Sequence, residues 1–169
     1  VATPEEATLV HVLSAREWPT VAAGFAAMEE GTADVESNSA TWESLRNQSK
    51  NRTLIFVVPR GVGPTAWNDD ERVHTHIRRR FIQLGQTLAG MQTFDTLRAL
   101  QGILSSREFS DEPIQLNALG EATTWALYAS LYLDGLSGME LTDLPPSNRQ
   151  SPDLLNVSRV TEVPTVAMV

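Results

Sequence analysis

Short apolar runs alternate with stretches of helical periodicity along this chain. Four runs have the character of strands, and a fifth begins near the end: residues 7–13, 53–58, 114–119, 138–143 and 164–169. The second run is continuously apolar, as expected for a strand covered by helices on both faces. Strands that alternate with helices are typical of βαβ units. The pattern therefore predicts an α/β fold with three layers and a mostly parallel sheet of about four to five strands.

Helical periodicity fills the segments between these runs. One amphipathic pattern starts at Trp18, and another covers residues 125–133. The longest apolar stripe runs from about residue 70 to residue 97. Gly85 and Gly90 weaken the middle of this stripe by about 1 kcal/mol each relative to alanine. The stripe therefore predicts either two helices or one kinked helix.

The whole chain of 169 residues has the length of one domain. Residues 29–52 are polar and predict a surface excursion, with about one helical turn around Trp42 and Leu45. Thirteen Lys and Arg residues against 21 Asp and Glu residues give a formal net charge of −8, which disfavours nucleic acid as a partner. No apolar run approaches the roughly 18 to 20 residues that a membrane span needs.

Two charged clusters near residue 70 have both a structural and a functional interpretation. His74 and His76 lie close to acidic residues 69–71 and could hold a metal ion, but side chains two apart on a helix do not face each other. A solvated helix start is favoured. Arg72 and residues 78–80 could hold a phosphate or a carboxylate, although pairing with the nearby acids is favoured. The sequence thus predicts neither a metal site nor a cofactor.

Several motifs occur in the order found in one family of hydrolases. They are residues 59–67 (PRGVGPTAW), 79–98 with its LGQTLAGM core, 119–124 (LGEATT) and 144–156. Together they resemble the acetyl-xylan-esterase-like and dipeptidyl-peptidase-like hydrolases of the α/β-hydrolase fold. The similarity covers residues 53–169 well and the first strand and helix loosely. It implies a partial α/β-hydrolase fold in which the four strands are arranged second-first-third-fourth.

The resemblance implies a nucleophile elbow after the third strand. This turn usually has the form G-x-S-x-G, which aims a serine hydroxyl at the substrate. Counting from Gly120 puts Ala122 at the nucleophile position and Thr124 at the second glycine. Thr123 and Thr124 are the nearest hydroxyls, and Glu121 is the ionisable group of the turn. A methyl group cannot attack a carbonyl, so the motif lacks its nucleophile.

The other members of a catalytic triad are also missing from the expected places. In the family, the acid and the histidine follow the seventh and eighth strands, and the chain ends before either. The three histidines are His11, His74 and His76, none of which comes late in the chain. We therefore expect that this chain alone is not a serine hydrolase.

Four further residues are candidates for binding. Ser14 would line a crevice with the elbow, because ligands bind at the carboxyl ends of strands where the strand order reverses. Arg60 is expected to brace the site loops through a carboxylate or the backbone. Trp67 could stack against a sugar ring, whereas Trp125 is expected in the core. Asp143, after the fourth strand, is expected to cap a loop.

Three function classes follow from the resemblance. The favoured one is a non-catalytic esterase-like domain with a structural or interaction role, and the alternatives are an ester hydrolase completed by additional chain and a carbohydrate or small-ligand binding module. The missing strands would leave a sheet edge open, so we expect another protein chain or a homo-oligomer to cover it. Relatives of this kind are commonly exported, which favours an extracytoplasmic location by analogy.

Overall fold

The computed structural model describes residues 7–30, 40–50, 52–67, 70–109 and 112–152. Strands and helices alternate as the sequence predicts. The elements are β1 Thr8–Val12, α1 Trp18–Glu30, α2 Ala40–Gln48, β2 Leu54–Val57, α3 Glu71–Gln83, α4 Leu88–Ser105, β3 Ile114–Leu119, α5 Glu121–Ser130 and β4 Leu136–Thr142. The predicted fifth strand, residues 164–169, lies outside the described residues.

The four strands form one parallel sheet in the order β2-β1-β3-β4. This confirms the predicted α/β class, the parallel sheet and the expected strand order. β1 is central, and all five of its residues are buried. The order reverses between β1 and β3, because β1 is followed by β2 on one side and β3 lies on the other.

Helices pack on the two faces of the sheet and give it three layers. On one face, Val10 and Val12 of β1 share a core with Leu100 of α4 and Trp125 of α5. On the other face, Leu13 shares a smaller core with α1 and α2. The alternation of side chains along a strand separates these two sets.

The segment predicted as a surface excursion contributes to the core. Residues 29–52 include the last residues of α1 and the whole of α2, and Trp42 and Leu45 of α2 are buried against α1 and the sheet. Gly24 of α1 makes this packing possible, since a side chain there would overlap the indole ring of Trp42. The predicted turn around Trp42 and Leu45 was therefore too short, because most other residues of α2 are polar and extend no apolar pattern.

The long apolar stripe forms two helices that separate at Gly85. This residue has a φ of +70°, which a glycine adopts without strain, and Thr87 then caps α4 by accepting a hydrogen bond from the amide of Gly90 at 3.0 Å. Gly90 itself lies inside α4. Of the two predicted alternatives, the structure therefore has two helices, and α3 contains no buried residue.

Two kinds of feature are absent from the described residues, namely a membrane-spanning helix and a metal-binding cluster. Within them, no helix has the length and apolar character needed to cross a bilayer. The same residues contain no group of three or more His, Cys, Asp or Glu side chains arranged to hold a metal ion.

Candidate functional site

The carboxyl ends of β1 and β3 lie side by side at the point where the strand order reverses. Val12 pairs with Ala118 in the sheet register, so Ser14 and Gly120, each two residues further along, leave the sheet at neighbouring positions. In open parallel sheets this is the usual place for a ligand. The two strand-to-helix turns that begin here form the candidate site.

The turn after β3 has a backbone conformation that favours glycine. Gly120 has φ +62° and ψ −126°, close to the mirror image of the extended region, and it immediately precedes α5. Its amide donates to the carbonyl of Thr142 at 3.0 Å, which ties the turn to β4. A Cβ at this position would meet no atom within 4 Å. The turn is therefore sharp and strained for other residues, and it is open on the side where a side chain would point.

The residues after Gly120 enter the core rather than the open side of the turn. Ala122, Thr123 and Thr124 are all fully buried in α5, and the Thr123 hydroxyl donates to the carbonyl of Gly120 at 2.5 Å. Glu121 is exposed in the first turn of the helix. Counting along the motif put the nucleophile position at Ala122, whereas the residue with the sharp backbone turn is Gly120. Sequence spacing alone could not locate that corner.

The turn after β1 is a capping box. The Ser14 hydroxyl accepts from the amide of Glu17 at 3.3 Å, and the Glu17 carboxylate accepts from the amide of Ser14 at 3.1 Å. The Ser14 hydroxyl also donates to Oε2 of Glu17 at 2.8 Å. This reciprocal S-x-x-E arrangement satisfies amides at the start of α1. It explains why Ser14 and Glu17 are buried, although both are polar.

His11 completes this group from the middle of β1. Its Nε2 lies 2.9 Å from Oε1 of Glu17, so the carboxylate bridges the imidazole and the serine. Burial raises the pKa of Glu17, but the hydrogen bonds from His11 and Ser14 outweigh it and hold the pKa below its usual value. An ionised carboxylate with a low pKa is a weak base. In a catalytic triad the imidazole contacts the serine directly, whereas here the acid separates them.

Arg60 braces the loop after β2, as expected from the sequence. Its Nε and Nη2 donate to the two carboxylate oxygens of Asp95 in α4 at 2.7 and 2.6 Å, and its amide also donates to Asp95 at 3.1 Å. Gln92 donates from its side chain to the Arg60 carbonyl at 3.1 Å. These bonds fix the loop beside the candidate site, and they occupy the cationic group that could otherwise hold an anion.

The remaining candidates from the sequence are Trp67, Trp125 and Asp143, of which Asp143 directly follows the Thr142 carbonyl that accepts from Gly120. Trp67 is half-buried and packs near Phe81 and His74 of α3, with ring centroids 5.7 and 6.2 Å apart. Trp125 is in the core, as predicted. Asp143 is exposed after β4 and has a φ of +62°, so it supplies a turn conformation.

A row of polar side chains on the sheet was not recognised from the sequence. His11, Asn117 and Glu140 occupy neighbouring register positions on β1, β3 and β4. The sequence did contain a sign of this row. Gln115 and Asn117 alternate with apolar residues in β3, whereas a strand covered by helices on both faces is usually apolar throughout. The row lies on the face of the sheet that carries α1 and α2, since these residues alternate with the core residues Val10, Val12, Leu116 and Ala118 on the opposite face.

The chain was compared with family models, with curated proteins and with solved structures, and none of the three comparisons gives a significant match.

Proposed function

We propose that this chain is a non-catalytic domain of the esterase-like α/β-hydrolase type, with a structural or interaction role in a larger protein or assembly. The observation that carries this proposal is the glycine at the strained corner after β3. Hydrolases of this type place their serine on such a strand-to-helix turn. Gly120 has the backbone of that turn and a single hydrogen atom where the reacting hydroxyl would be.

The nearest hydroxyls support the same conclusion. Ser14 is bound at both its donor and its acceptor side within the capping box, and its partner is an ionised carboxylate rather than an imidazole. Thr123 donates to the carbonyl of Gly120 and is fully buried. A nucleophile needs an adjacent base and access to the substrate. Neither hydroxyl has both.

Labelling with a fluorophosphonate probe tests the absence of a nucleophile. We expect no labelling of the folded chain and no turnover of an aryl acetate above the buffer rate, under conditions in which a serine esterase reacts fully. Ser14→Ala is the matched control variant. Labelling that maps to Ser14 and is lost in this variant would overturn the proposal, as would labelling of Thr123 or Thr124.

The interaction role is supported by β4, an edge of the sheet among the described residues. Ser137, Gly138, Glu140 and Thr142 are exposed along this strand. Parallel sheets occur almost only with both faces covered, and open edges favour pairing with another chain. We therefore expect a partner chain or a second copy to cover β4.

Sedimentation velocity over a wide concentration range tests the second copy. Self-association would give masses that are multiples of 18.6 kDa. Thr142→Lys places a charge on the exposed strand and should abolish association, whereas Gln83→Lys, on the exposed surface of α3, should not. A monomer at every concentration would exclude the homo-oligomer.

A further inference from the structure

Helix α3 carries a cluster of arginines whose charge is not neutralised within the described part of the chain. Its 13 residues include four arginines and one glutamate, and Arg72, Arg78, Arg79 and Arg80 are all exposed. Among the described residues, none of the four has an ion pair or a side-chain hydrogen bond. The pairing with nearby acids that the sequence favoured is therefore not found there, and the positive charge of α3 faces outwards.

The same helix presents apolar side chains that the fold covers only in part. Val73, Ile77 and Phe81 follow one another at a spacing of four residues, which puts them on one side of α3, and all three are half-buried. At the end of the helix, Ile82 and Leu84 are 56% and 71% exposed. Exposed large apolar side chains that are grouped with arginines are typical of a surface that binds another macromolecule.

Charge of the opposite sign surrounds β4. Residues 112–148 contain five Asp or Glu residues and no Lys or Arg. Two large apolar side chains precede the edge strand and three acids accompany it, and all of them are exposed: Leu131, Tyr132, Asp134, Glu140 and Asp143. These five residues are called the acidic edge below. Like α3, the acidic edge combines charge of one sign with exposed apolar side chains.

The fold attaches the two surfaces to opposite edges of the sheet. In the order β2-β1-β3-β4, the outer strands are β2 and β4. Helix α3 follows β2, and the chain then returns to the loop after β2, since a Cβ at Gly61 would lie 3.7 Å from the side chain of Leu88 at the start of α4. No ion pair joins α3 to the acidic edge within the described residues. Contact between these two surfaces therefore requires a second molecule.

We propose that α3 of one copy of this chain lies along the acidic edge of a second copy. The two surfaces are similar in length, because the 13 residues of α3 extend about 20 Å and the 7 residues of β4 about 23 Å. With α3 antiparallel to β4, Ile82 and Leu84 meet Leu131 and Tyr132 at one end of the contact and are buried there. The arginines then pair with the carboxylates along the strand. A helix in this position also prevents β4 from pairing with another strand.

This inference rests on the proposed function, since it names what covers β4. A second copy is favoured over another acidic protein because the chain itself supplies a surface of opposite charge, similar length and exposed apolar character. An anionic membrane is disfavoured because the chain as a whole has a formal net charge of −8, which opposes its approach to such a surface.

Charge reversal on each surface tests the contact by sedimentation velocity. The unmodified chain should associate at low salt, and about 0.5 M NaCl should weaken the association because salt screens exposed charges. Arg79→Glu and Asp134→Lys should each raise the Kd of association about tenfold or more, since like charges then meet. Arg46→Glu on α2, which packs on the other face of the sheet from α4 and α5, is the matched control and should associate as the unmodified chain does. Gln83→Lys preserves the sign of the charge on α3 and should also retain association.

An equimolar mixture of the two reversed variants tests whether α3 and the acidic edge meet each other. The acidic edge is intact in Arg79→Glu and α3 is intact in Asp134→Lys, so the mixture should associate at a concentration where neither variant does so alone. Circular dichroism shows that both variants are folded. A mixture of folded variants that stays monomeric would overturn the contact.

The remaining outcomes separate this inference from the proposed function. A monomeric unmodified chain at every concentration would overturn the inference and leave a different chain as the partner of β4. Association that is abolished by Thr142→Lys but unchanged in Arg79→Glu would overturn only the contact with α3. Fluorophosphonate labelling of the unmodified chain would contradict the proposed function, whether or not the chain associates.

Discussion

At the scale of single residues, substitutions of Gly120 and Gly102 measure the cost of backbone strain without steric crowding. A Cβ would meet open space at both positions, but Gly120 has a φ of +62° whereas Gly102 lies within α4. We expect Gly120→Ala to lower the free energy of unfolding by about 1–3 kcal/mol, because only strain is introduced. Gly102→Ala should raise it by about 0.5–1 kcal/mol. Urea unfolding of both variants measures the difference.

A neutral effect of Gly120→Ala would contradict the assigned backbone conformation. The turn would then adopt an ordinary φ and would no longer have the geometry of a nucleophile elbow. This result would also weaken the proposed relation to esterase-like hydrolases.

The Arg60–Asp95 pair predicts a pH dependence of stability. Burial raises the pKa of Asp95, but the hydrogen bonds from the side chain and amide of Arg60 outweigh it and hold the pKa below its usual value. A carboxyl group whose pKa is lower in the folded chain than in the unfolded chain stabilises the fold at higher pH, and this contribution is lost as the pH falls through the folded pKa. Both side chains are partly exposed, so we expect Asp95→Asn to cost about 1–2 kcal/mol at neutral pH.

The difference between the unmodified chain and Asp95→Asn should therefore be constant above about pH 5 and shrink below about pH 4. Urea unfolding at several pH values measures it. The comparison with the variant is necessary because the pKa of Glu17 is lowered as well and contributes a dependence of the same sign. A difference that grows at acidic pH would contradict the pairing.

At the scale of elements, the contact between α1 and α2 depends on the absence of a side chain at Gly24. Alanine normally stabilises a helix relative to glycine, but at Gly24 its Cβ would overlap the indole of Trp42. We expect Gly24→Ala to destabilise the chain by about 1–3 kcal/mol and to displace Trp42, with a change in tryptophan fluorescence. Gly102→Ala, a helical glycine with open space, is again the control. Stabilisation by both variants would show that α2 does not pack on α1.

The elements with an uninterrupted hydrophobic pattern were predicted from the sequence, whereas features that depend on tertiary packing were missed. The apolar runs of β1, β2 and β3 agree with the structure to within one residue at each end. The length of helix α2 was underestimated because Trp42 and Leu45 are the buried anchors of a mostly polar segment. The unusual backbone conformation is at Gly120, two residues before the nucleophile position counted from the sequence, because residue spacing does not report φ and ψ. The polar character of Asn117 is visible in the sequence, but its alignment with His11 and Glu140 depends on register between distant strands, which a single sequence does not reveal.

At the scale of the whole molecule, an active centre needs a nucleophile, a base and an acid brought together from different elements. In the proposed relation to esterase-like hydrolases, Gly120 stands at the corner where the nucleophile would be, but the three imidazoles belong to other segments. His11 lies within the central strand β1 and is bound to Glu17, and His74 and His76 belong to α3, which follows β2. Space for a serine exists at Gly120, because a Cβ would meet nothing within 4 Å. No imidazole among the described residues contacts this corner, so on the proposed function the lack of a base, and not only of the hydroxyl, should prevent catalysis.

Gly120→Ser tests this argument directly. We expect the variant to remain inactive towards aryl acetates and unlabelled by fluorophosphonate, because a serine without an adjacent base is a weak nucleophile. Its stability should fall by about as much as that of Gly120→Ala, since both introduce the same strain. Intact mass measured after incubation with the probe reports the labelling, and urea unfolding shows that the variant is folded. Labelling at position 120 in the folded variant would mean that a base does face the corner, and the domain would then be an esterase that has lost only its serine.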